Sequence, residues 1–138
     1  MKHLFTLVLL CPIIVFSQVN EEFNDGDFTN NPPWIGLTQN FIVNNDFMLQ
    51  LNDEGEGISY LATANNYGSK CEWRFTIKQS FSPSSNNNSR VYLISDKSNL
   101  LEPLKGYFLQ FGESGSNDAI ELFRQDGEII SSICRGED

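Results

Sequence analysis

The chain has 138 residues, with 18 acidic against 9 basic side chains and a formal net charge of −9. That length allows one domain, and so acidic a surface repels phosphate backbones and anionic bilayers, excluding nucleic-acid binding and attachment to anionic membranes. There is one histidine, His3, and there are three cysteines, so imidazole chemistry and a disulfide-rich scaffold are both excluded from the body of the chain.

The first element is an export signal. Lys2 and His3 precede LFTLVLLCPIIVF (4–16), an apolar run of signal-peptide length. It falls short of the roughly 20 apolar residues that span a bilayer. Small Ser17 suits the position before a cut, so residues 1–17 are expected to be a signal peptide and residues 18–138 the exported module. Cys11 lacks the small residue expected just before a lipidated cysteine, and the apolar run continues past it. Soluble export is therefore expected, to the extracellular space or the cell surface, without membrane insertion after cleavage. Cleavage removes Lys2 and no acidic residue, leaving a charge of −10.

FNDGDFTNNPPWIG (23–36) crowds Asp-Gly, Asn-Asn and Pro-Pro ahead of Trp34, which reads as a turn followed by an inward-packing aromatic. FIVNNDFMLQLN (41–52) gives two short apolar pieces around Asn-Asn-Asp, and GISYLATA (57–64) alternates. CEWRFTIK (71–78) is the clearest strand by pattern. Cys71, Trp73, Phe75 and Ile77 share one face, and Glu72, Arg74, Thr76 and Lys78 the other. RVYLISD (90–96) is apolar on both faces and so is expected at the centre of its sheet. GYFLQFG (106–112) places Tyr107, Leu109 and Phe111 together. AIELFRQDGEIISSIC (119–134) reads as a hairpin turning at Asp126-Gly127. Residues 100–104 could form one helical turn, which Pro103 cuts short.

Seven or eight short strands, with turn formers about every ten residues, predict an all-β sandwich or barrel. CEWRFTIKQSFSPSSNNNSRVYLISD and GYFLQFGESGSNDAIELFRQDG resemble the concanavalin A-like sandwich of the laminin-G type. Together with FNDGDFTNNPPWIG and FIVNNDFMLQLN, the phrasing is similar to the N-terminal region of large secreted Bacteroidota proteins that carry lamin-tail domains. The resemblance implies an antiparallel jelly roll. It also implies more strands than fit before Asp138, so the sandwich is expected to be incomplete at its C-terminus, with an apolar face and sheet edges left open.

Candidate chemistry is sparse. Asp25 and Asp27 flank Gly26 beside three asparagines, and oxygen-rich loops of this kind can hold calcium, although the spacing is not that of an EF-hand. The favoured reading of these residues is turn closure, and no cofactor is required. Trp34 and Tyr67 sit beside polar turns and are the candidate platforms for a sugar ring. Cys71 and Cys134 could form one bridge outside the cell, with two separate buried thiols the favoured alternative. Asn87-Asn88-Ser89 fits a glycosylation sequon.

Catalysis is not expected. The resemblance implies that a glycosidase on this fold would carry a Glu-x-Asp-x-Glu run aimed into one cleft. The chain has none: Glu54 and Glu56 lie in a glycine turn, and Glu121 stands alone. No Gly-x-Ser-x-Gly elbow or phosphate-binding glycine loop occurs. The expectation is a secreted, non-catalytic β-sandwich module that binds a glycan or cell-surface ligand, at the N-terminus of a larger exported protein. The alternatives are a structural spacer without a ligand and a fragment of a secreted carbohydrate-active hydrolase.

Overall fold

A computed structural model describes residues 19–65, 71–115 and 119–137. The fold is all-β with antiparallel sheets. Its strands are β1 (Trp34–Gly36), β2 (Phe41–Val43), β3 (Leu49–Leu51), β4 (Leu61–Thr63), β5 (Ser89–Ser95), β6 (Leu104–Phe111), β7 (Ile120–Gly127) and β8 (Ile129–Arg135), with a 3-10 turn over Thr38–Asn40. β1 pairs with β4, and the β2–β3 hairpin is inserted between them in the chain. β5, β6, β7 and β8 form a four-stranded meander in that order.

The meander follows from its turns. Asp126 pairs with Ile129 across a two-residue loop, and Gly127 takes φ +67° at the first loop position. Glycine there, followed by a residue of negative φ, is the sign pattern of a II′ hairpin turn. The turn thus lies one residue beyond the expected Asp126-Gly127. β6 and β7 stay in register over eight pairs, from Leu104↔Gly127 to Phe111↔Ile120.

Three expectations need correcting. The segment 71–78 is not a ladder strand. It keeps its apolar alternation, and Phe75 meets Phe111 edge-on at 6.3 Å, but Trp73, Phe75 and Ile77 remain 37–44% exposed. A period of two records an extended chain, and pairing needs a neighbour that the local pattern does not specify. β5 is an edge strand of its sheet, and β6 and β7 are the central ones. Residues 100 and 101 form only a turn, with Glu102 N–H donating to Asn99 C=O at 3.4 Å, and Leu104 already opens β6.

Cross-strand partners share a face, so the register assigns the two sides of the sheet. One side carries the row Tyr92–Phe108–Phe123–Ser132, flanked by Arg90–Gln110–Glu121–Arg135. Phe108 is fully buried there, 4.9 Å from the Tyr92 ring and stacked at 5.2 Å on Phe123. The Arg90 guanidinium lies 4.8 Å from its centroid. The other side carries Val91–Leu109–Leu122–Cys134, then Ile94–Tyr107–Arg124–Ser131 and Lys105–Asp126–Ile129. Tyr107, Leu109 and Phe111 therefore do share a face, but the most buried aromatic of β6 is Phe108 behind them.

Candidate functional site: the Tyr107 depression

On the second face, an open depression of about 300 Å³ lies at the end of β5, β6 and β7 nearest the β7–β8 turn. Its lining includes Ser95, Asp96, Lys105, Tyr107, Arg124 and Asp126. Period-two alternation on adjacent strands brings these together: Lys105 and Tyr107 lie two apart on β6, opposite Asp126 and Arg124 on β7. Tyr107 is 41% exposed and shares the depression with the equally open side chain of Ile94, with the charged groups of Lys105, Arg124 and Asp126 beside them.

The carboxylate of Asp126 accepts from Arg124 Nη2 at 3.2 Å and faces Lys105 Nζ at 3.7 Å. All three side chains are about half exposed or more, so these pairs add little stability. Their chemical value lies elsewhere: they hold two cations and a carboxylate together in the depression that Tyr107 lines. The mouth is anchored by the backbone. Lys105 N–H donates to Asp96 Oδ1 at 2.7 Å, and Asp96 N–H donates to Lys105 C=O at 3.0 Å. Such a rim can exchange hydrogen bonds with a ligand's hydroxyls without loss of packing, while the ring offers an apolar face.

The residues singled out by sequence lie elsewhere. Trp34 is half-buried in β1, 6.3 Å from the Phe23 ring, and its backbone N–H donates to Phe28 C=O at 2.9 Å. Its indole nitrogen is buried without a hydrogen-bond partner, as is the hydroxyl of Thr63, its ladder partner on β4. The polar edge of the ring points inward, away from any solvent-borne ligand. Tyr67 lies outside the described residues.

Asp25 and Asp27 are spent on turns. Asp25 Oδ1 accepts the Asp27 N–H at 3.0 Å. Asp27 accepts the Thr29 N–H and hydroxyl, both at 2.7 Å, and the Asn30 side-chain amide at 2.7 Å. The Thr29 hydroxyl, then the Asn30 amide and the Thr29 backbone, hold the Asp27 carboxyl down at about 2. Among the described residues, no three of His, Cys, Asp or Glu gather in a metal-binding group. Cys71 and Cys134 are not bridged, and neither is buried: Cys71 is half-buried and Cys134 exposed. Cys134 pairs with Leu122 on the outermost strand of the sheet, whereas Cys71 begins the separate 71–78 segment.

Sequence reasoning passed over Tyr107, Lys105, Arg124 and Asp126. The signal was the pair of i, i+2 polar positions on each of two adjoining strands, and it becomes readable only once their register is known. No protein-family model, curated protein or solved structure matches the chain.

Proposed function

We propose that the protein is a secreted, non-catalytic glycan-binding or adhesive module, and that a sugar sits in the Tyr107 depression. The observation that carries this reading is an exposed tyrosine ring that shares an open depression with Lys105, Arg124 and Asp126 on adjoining strands. A pyranose offers an apolar C–H face to such a ring and hydroxyls to such a rim. The antiparallel meander is compatible with a jelly-roll sandwich of the concanavalin A-like, laminin-G type, and the leader-like residues 1–17 support export. In this reading the chain is the leading module of a larger exported protein similar to the lamin-tail proteins named above.

The test is a glycan array probed with the purified protein, with and without calcium, beside the Tyr107→Ala variant. Binding that falls by at least about tenfold in Tyr107→Ala, roughly 1.4 kcal/mol, supports the site. No binding to any glycan, or binding that Tyr107→Ala leaves intact, contradicts it.

A second reading, a spacer without a ligand, draws on a different observation. Trp34 has its polar edge buried in the β1–β4 pair, so the aromatic most conspicuous in the sequence serves packing.

A further inference from the structure

We infer that Asp126 sets the class of ligand that the Tyr107 depression takes: an uncharged glycan, with uronates and sulfated sugars excluded. The inference rests on the reading that a sugar occupies this depression, and it adds the chemistry of that sugar. The lining holds two cations, Lys105 and Arg124, and two carboxylates, Asp96 and Asp126, so it carries no net formal charge.

Asp126 serves both cations. One of its oxygens accepts from Arg124 Nη2 at 3.2 Å, and the other faces Lys105 Nζ at 3.7 Å. Asp96 Oδ1 accepts the Lys105 backbone N–H at 2.7 Å, which keeps a second negative charge at the mouth. An acidic sugar entering here finds both cations already facing a carboxylate. It must displace Asp126 or lie beside it, and either course sets two anions close together. A hydroxyl needs neither. An ionised carboxylate offers about four acceptor positions, so Asp126 can accept from sugar hydroxyls while keeping both partners.

The apolar part of the lining and the field of the whole chain act in the same direction. Ile94 and Tyr107 are cross-strand partners, 43% and 41% exposed, so their side chains stand together on one face. The C–H face of an uncharged ring can rest on that pair, whereas an ionised group pressed against it would lose water and gain no partner. Beyond the depression, the formal net charge of −9 opposes the approach of any anion, and the balanced lining does not offset it. Asp126 is the control point: converted to an amide, it leaves the lining with one surplus positive charge.

A glycan array bearing neutral, uronate-containing and sulfated glycans, probed at about 0.01 and 0.1 M salt, tests this. The unaltered protein should bind uncharged glycans only, through Tyr107, with an affinity that changes less than about twofold between the two salts. Asp126→Asn should gain uronate binding, at least about tenfold over the unaltered protein at low salt, and lose that gain at the higher salt. Binding of uronates or sulfated glycans that Tyr107→Ala abolishes in the unaltered protein overturns the inference and leaves the proposed site standing. A folded Asp126→Asn variant with no gain in uronate binding does the same. Should that variant misfold, the salt series on the unaltered protein decides: a fall of at least about tenfold marks an anionic ligand and overturns the inference. Binding to no glycan at all removes the proposed site and the inference together.

Discussion

Asp27 shows how a residue that resembles a ligand can be occupied by its own loop. Its three side-chain hydrogen bonds favour the charged carboxylate and bring it from 3.8 to about 2. Because the folded value is depressed, the contribution is complete above pH 3.8 and is lost as pH falls through about 2. The Thr29 amide resonance should therefore titrate with a midpoint near 2. A midpoint at the ordinary carboxylate value would mean that the turn does not hold Asp27. Phe108 is the opposite case, a residue that resembles its neighbours but carries the core. It is fully buried against Tyr92, Phe123 and the Arg90 guanidinium. Phe108→Ala should cost about 3–5 kcal/mol in denaturant unfolding, while truncating exposed Tyr107 should cost far less. Equal losses at the two positions would reverse the assignment of buried and open faces. Within "GYFLQFG" nothing distinguishes them: alternation groups alternate residues, and which group is buried depends on what packs above each side.

At the scale of the element, the β5–β6 pair depends on glycine and a bulge. Leu93 is the extra residue where the ladder shifts between Tyr92 and Ile94. Opposite that end of β5, Gly106 is buried, and a Cβ there would collide with the Ile94 carbonyl. Backbone cannot yield as a flexible side chain would, so Gly106→Ala should destabilise by about 1–3 kcal/mol in the same unfolding assay. Because Gly106 precedes Tyr107, the substitution should also disturb the depression. A neutral result would mean that β5 and β6 sit further apart. The β7–β8 hairpin and the β2–β3 hairpin were legible in the sequence because Gly127 and the Asn-Asn-Asp turn are local signals. The 71–78 segment was not, although its alternation is the strongest in the chain. Its apolar side is incompletely covered, and pairing is a long-range property that alternation cannot report. The same reason misplaced β5: Val91, Leu93 and Ile94 look central, yet β5 lies at the edge.

For the molecule as a whole, strand alternation and turn spacing were enough to anticipate an all-β fold. They could not anticipate the site, because Tyr107, Lys105, Arg124 and Asp126 meet only through the β6–β7 register. Among the described residues the largest fully buried side chains are Phe108 and Leu104, whereas large hydrophobics stand exposed on β8 and on the 71–78 segment. The central claim is that ligand binding centres on Tyr107, and its most direct test is amide and ring-proton NMR of the protein titrated with an oligosaccharide found on the array. The account predicts shifts confined to Ser95, Asp96, the Lys105–Tyr107 stretch and the Arg124–Asp126 stretch. Shifts centred on Trp34 and the Asp25–Asp27 loop, or none at saturating oligosaccharide, would contradict it.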